Sequence, residues 1–119
     1  MYDLVFPALA LLTIALGLFG LVAPRYTAGA LDLETTRSTM GLSELRASAG
    51  GLFVAMGIVC LWTGDPGAYA MLGVAYAGAA TGRLASIFID NPPKRKAFVF
   101  FLFEAVPAAI LIAPVLTNR

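Results

Sequence analysis

The chain has 119 residues, of which 60% are hydrophobic and 13% are charged. Its mean hydropathy is +0.86, whereas a soluble domain carries roughly 25% charged and 45–50% apolar residues. A chain this short cannot hide so much apolar surface within itself, which excludes a soluble globular domain, and the same composition excludes disorder. Lysine and arginine total 8, and aspartate and glutamate total 7, for a net charge of +1.

Histidine is absent, which removes the commonest general base and metal ligand. The single cysteine, Cys60, lies in an apolar run and reads as a small hydrophobe. No metal site, cofactor or catalytic residue is expected. A nucleic-acid footprint needs clustered basic residues on an exposed face; the one basic cluster, Lys94-Arg95-Lys96, has another explanation. The class that remains is an integral membrane protein, and the expected fold is all-α: a single four-helix transmembrane domain over residues 1–119.

A spanning helix needs about 20 mostly apolar residues. The first expected helix covers residues 4–23 and carries no charge. It is expected to be a retained span rather than a signal peptide, because Asp3 stands where such peptides are basic, the apolar run is too long and Pro24 sits badly for cleavage. The next segment, residues 24–42, alternates leucines and Met40 with Asp32, Glu34, Arg37 and threonines. Two placements fit it: a short helix on the membrane surface, or a segment partly tucked into the bundle.

The second helix is expected over 43–62, with Ser43 as N-cap and Glu44 in its first turn. The run Thr63-Gly64-Asp65-Pro66-Gly67 is a turn signal. The third helix is expected over 68–89, ended by Asp90-Asn91-Pro92-Pro93. The fourth covers 97–116, with Pro107 expected to kink it by clashing with the carbonyl of Phe103. Short loops make consecutive helices antiparallel neighbours.

Charge bias sets orientation. Arg25, Arg37, Arg46, Lys94, Arg95 and Lys96 share one side, and only Arg119 lies on the other. The positive-inside rule places the first side in the cytoplasm and both termini outside, as in a bacterial inner-membrane protein. Lys94-Arg95-Lys96 is then a cytoplasmic anchor, a role compatible with binding anionic headgroups. Trp62, Tyr69 and Tyr2 fall at the outer interface.

Arg83 and Glu104 lie deep in apolar runs, where an uncompensated charge costs about 2.5–3.5 kcal/mol. Arg83 precedes Ile89 by six residues and Glu104 follows Ala97 by seven, roughly 9 and 10 Å along the helices. They lie at one level of adjacent antiparallel helices, so an ion pair is expected. Glu44 and Arg46 lie one turn shallower. Arg46, near a helix N-terminus, is expected to need an acidic or phosphate partner. Two readings of the Glu44, Arg46, Arg83 and Glu104 cluster stand side by side: a buried network fixing helix register, or a polar pocket for a headgroup, a small acid or a proton.

Small residues permit close helix approach. Ala47, Gly51 and Ala55 follow four-residue spacing, with Gly50 and Gly57 beside them, and Gly78 and Gly82 form a G-x-x-x-G match. Gly50, Gly51, Gly78 and Gly82 are therefore candidate packing positions, within the monomer or toward a partner. Tyr69, Tyr76 and Arg83 recur every seven residues and share one helix face. Phe98, Phe100, Phe101 and Phe103 crowd several faces of the fourth helix, as lipid-facing residues do.

The segment Leu42-Ser43-Glu44-Leu45-Arg46-Ala47-Ser48-Ala49-Gly50-Gly51-Leu52 resembles the E-x-R-A-x-Y-G-G signature of a bacterial family of small four-helix membrane proteins, domain of unknown function 4345. Gly82-Arg83-Leu84-Ala85-Ser86 with Asp90 looks like its G-R-x-x-S/G motif, and Glu104 looks like its fourth-helix glutamate. The resemblance covers essentially the whole chain. Ala49 stands where an aromatic residue, usually tyrosine, is expected, so no hydroxyl acts there. The resemblance implies the architecture and the polar cluster and supplies no activity. The expected role is an accessory or interaction subunit of a larger membrane complex or of a self-association, surrounded by membrane lipids. The alternative is a carrier for a lipid, quinone or weak acid at the cluster.

Overall fold

The computed structural model describes residues 3–117; Tyr2 and Arg119, assigned above to the outer side, lie outside the described residues. Among the described residues there are five helices and no strand. They are α1 (Val5–Val22), α2 (Pro24–Ala30), α3 (Met40–Thr63), α4 (Pro66–Ile89) and α5 (Lys94–Thr117). All but α2 are long and apolar enough to cross a membrane. The chain divides into two compact units, Met1–Gly64 and Asp65–Arg119.

In the first unit α1 and α3 pack antiparallel: Gly20 of α1 meets Ala49 and Gly50, Gly17 meets Val54, and Ala10 and Ile14 meet Gly57. Phe6, Ala10, Thr13, Gly17 and Gly20 are the buried residues of α1. Their alternating four- and three-residue spacing is the pattern of a helix that supercoils left-handedly about a partner. Thr13, 1% exposed, donates its hydroxyl to the Leu9 carbonyl. Thr27, Ser48, Thr63, Thr81 and Thr117 each bond back to the carbonyl four residues earlier. A hydroxyl satisfied by its own helix needs no water.

Pro24 lacks an N–H and ends α1, then opens α2, where proline suits the first position. The end of α2 is a Schellman motif. Leu33 N–H donates to the Ala28 carbonyl and Asp32 N–H to that of Gly29, with Asp32 left-handed at φ 59°. The segment 24–42 is therefore a short helix and an exposed stretch, with α2 packed on the N-terminal part of α3.

Three expectations for α3 are corrected. The helix starts at Met40, so Ser43 is not its N-cap; its N–H already donates to the Thr39 carbonyl. Leu45–Gly51 is π-helical, and the extra residue in its turn shifts every later side chain around the axis. Consequently Gly50 and Gly57 are buried, while Ala47 and Ala55 face outward and Gly51 is half-exposed.

Gly64, at φ 62°, caps the end of α3, and the Asp65 carboxylate accepts from the Gly67 N–H to cap α4. In the second unit α4 and α5 form an antiparallel hairpin in which Gly73 meets Leu111 and Ile112. Tyr69 (2% exposed) and Tyr76 (8%) are among the buried residues of α4. Tyr69 is therefore a core residue and not part of an interfacial belt, whereas Trp62 is 83% exposed. Helix α5 runs on through Pro107 and Pro114.

The spans bury little of themselves: in no span is more than 28% of the most apolar stretch buried. Leu11, Leu16, Phe19, Val74, Phe88, Phe98, Phe103 and Val106 are all exposed. So much outward apolar surface marks a lipid or protein contact.

Candidate functional site

The deepest charges meet within the α4–α5 hairpin. The guanidinium of Arg83 forks onto the carboxylate of Glu104, with Nε to Oε1 at 3.1 Å and Nη2 to Oε2 at 2.9 Å. This bidentate geometry is the strongest form of the pair. The side chains are 34% and 17% exposed. The guanidinium also lies over the Phe100 ring, 5.3 Å from its centroid, a cation–π contact that favours arginine over lysine. Phe100 is thus a platform rather than a lipid-facing residue. Below the pair, the Ser86 hydroxyl donates to the Asp90 carboxylate at 2.7 Å.

Glu44 and Arg46 belong to the first unit and do not pair with each other. Because α3 starts at Met40, Arg46 is not at a helix N-terminus. Its Nη1 donates to the carbonyl of Leu21 at 2.6 Å. Leu21 is in the last turn of α1, where carbonyls lack intrahelical partners and the dipole favours a cation. The expected acidic or phosphate partner is replaced by a helix end. The π-helical turn carries Arg46 on the segment that Gly20 and Gly50 bring against α1.

Glu44 lines a cavity of about 300 Å³ between α2, the 31–39 segment and α3, with Leu33, Glu34, Leu42, Leu45 and Ser48 among its walls. A neighbouring cavity of about 380 Å³ shares Leu33, Glu34 and Leu42 and adds Arg25. Neither carboxylate has an ion-pair partner among the described residues. Residue pattern does not point to Glu34, because only the Schellman turn brings the segment after α2 back toward α3.

The packing glycines are partly other than expected. A Cβ at Gly50 would lie 2.5–2.8 Å from Leu21 and Gly20 backbone atoms. A Cβ at Gly51 meets only its own helix, at 3.5 Å, and at Gly78 and Gly82 it meets nothing within 4 Å. Gly51, Gly78 and Gly82 are therefore not contact positions within their hairpins. Gly17, Gly20, Gly57 and Gly73 are. The missed signal was the four–three recurrence of small residues along α1. Lys94, Arg95 and Lys96 are not in a loop but form the first turn of α5, an unfavourable place for cations.

A family model for a domain of unknown function, DUF4345, matches residues 3–114. The chain belongs to this family. No curated protein and no solved structure matches it. The segment that carries the DUF4345 resemblance, Glu44 to Gly51, coincides with the π-helical turn and its approach. Its arginine caps α1, and its first adjacent glycine, Gly50, makes the tightest backbone approach. The second resemblance, Gly82-Arg83, and Glu104 supply the ion pair. In this DUF4345 chain Arg46, Gly50, Arg83 and Glu104 thus have structural contacts that account for their residue types, whereas Gly51 and Gly82 do not. Among the described residues no three His, Cys, Asp or Glu side chains group as metal ligands would.

Proposed function

We propose that this protein is a small multi-pass protein of a bacterial inner membrane that serves as an accessory or interaction subunit of a larger membrane assembly and catalyses no reaction. The observation that carries the reading is the outer face of α4. Gly78, Thr81, Gly82 and Ala85 lie exposed along a helix long and apolar enough to span, and the two glycines contact nothing in their hairpin. Small residues on a spanning helix permit close approach of another helix. The deep charges support the same reading. Arg83 and Glu104 close on each other, which favours a register-fixing pair over a pocket for a proton or a small acid.

Affinity purification in a mild detergent tests this. The full chain should carry a stoichiometric protein partner, and Gly82→Leu should release it while the α4–α5 hairpin stays folded. Purification of the wild-type chain alone and monomeric would overturn the reading. The proposed orientation places the start of α5 in the cytoplasm, where anionic headgroups would offset its three basic residues. In a Cys60→Ala background, Asn91→Cys should resist membrane-impermeant thiol reagents in intact cells; labelling from outside would reverse the topology.

The alternative, a binding protein for a lipid, quinone or weak acid, is favoured only by the cavity beside Glu44. Its carboxylates disfavour an acid by like-charge repulsion.

A further inference from the structure

We propose that the two adjoining cavities of the first unit form one site for the headgroup of a zwitterionic phospholipid bearing a primary ammonium, of the phosphoethanolamine type. The inference rests on the membrane reading above but not on the accessory role. Three observations point to it.

The first is the wall. Leu33, Leu42 and Ala28 belong to both cavities, and Leu45 extends the first. The shared side thus combines an apolar strip, as a glycerol and the start of an acyl chain require, with the polar Glu34 and Thr35. The two volumes, about 300 and 380 Å³, place the joined space within the roughly 300–1,000 Å³ of small-molecule sites. That admits a headgroup and its stem and not a whole two-chain lipid.

The second is the charge layout. Glu44 lies on the first cavity, Glu34 on the wall common to both, and Arg25 on the second. None of the three has an ion-pair partner among the described residues. An ammonium with three N–H donors suits two carboxylates, and a guanidinium suits a phosphate. A quaternary ammonium has no donor, and an anionic headgroup would meet two like charges.

The third is the position. The cavities lie between α2 and the N-terminal part of α3, just beyond the end of α1. That is where two spans end and where headgroups sit in a bilayer. The Schellman turn after Ala30 fixes the pocket by folding Leu33 back over Ala28.

The full chain, reconstituted in nanodiscs of equimolar phosphatidylethanolamine, phosphatidylcholine and phosphatidylglycerol, is released and weighed by native mass spectrometry. Phosphatidylethanolamine should be retained at least about tenfold over the other two. Glu34→Gln, Glu44→Gln and Arg25→Gln should each lower retention on the order of tenfold, the effect of losing one charge-assisted contact. Ala28→Leu, which narrows the shared wall without touching a charge, should lower it as well. Helicity by circular dichroism verifies that each variant folds. Equal retention of the three lipids, or retention unmoved by the charge variants, overturns the site. Loss in the glutamate variants alone, with Arg25→Gln unchanged, overturns the zwitterion assignment. Free phosphoethanolamine held as firmly as the lipid overturns the lipid assignment. A chain that fails to enter nanodiscs at all contradicts the membrane reading instead, so the two failures are distinct.

Discussion

Leucine at position 50 should keep the N-terminal hairpin from closing. A Cβ there lies 2.5 Å from the Leu21 amide nitrogen, 2.7 Å from its Cα and 2.8 Å from the Gly20 carbonyl carbon. All three are backbone atoms of a regular helix, so no rotamer change relieves the contact and the two helices must separate. Separation would also pull Arg46 from the Leu21 carbonyl, where the bond is now 2.6 Å. The expected cost is more than about 3 kcal/mol, the upper end of overpacking effects. Gly78→Ala is the contrasting variant. Its Cβ meets nothing, and alanine exceeds glycine in helix propensity by about 0.8–1.0 kcal/mol, so the hairpin should hold or gain stability. Unfolding followed by circular dichroism in micelles reads both. A Gly50→Leu protein as stable as wild type would show that α1 and α3 do not approach closely at this position.

Removing Arg83 alone should be as damaging, and removing Glu104 with it should repair most of the loss. In Arg83→Ala the Glu104 carboxyl group, 17% exposed, loses both of its donors in an apolar hairpin. Breaking one partner of a buried pair costs about 3–5 kcal/mol, whereas replacing both by apolar residues is often neutral. The double change Arg83→Leu/Glu104→Leu should therefore lie within about 1 kcal/mol of wild type. Arg83→Lys should fall between, because lysine cannot form the fork or match the stacking over Phe100. The double-mutant cycle reads the coupling directly, and strict additivity would mean that the fork contributes nothing.

How much of this was legible in the residues varies by feature. The spans were readable because a crossing helix needs about 20 apolar residues, and length with hydropathy reports that directly. Arg83 and Glu104 were readable because a deep charge needs a partner and loop length sets depth. The contact face of α3 was not. Reading it required the phase of the helix, and the π turn at Leu45–Gly51 shifts that phase by one residue. The start of α3 differs from expectation because Ser43 has the chemistry of a cap, whereas the helix begins after Thr39, with the Met40 N–H donating to the Ser38 hydroxyl. Tyr69 was misassigned because a tyrosine near a helix end suits an interface as well as a core.

The sequence by itself determined that four segments are long and apolar enough to cross a membrane, and the identity of the deep pair, each a matter of composition along one chain. Tertiary structure alone decided what Arg46 bonds, which glycines touch, and that Glu34 and Arg25 share a cavity wall. Those depend on a one-residue phase shift and on a left-handed turn at Asp32. Both are small local changes in backbone angle, and each redirects side chains far along the chain, so neither is written in periodicity.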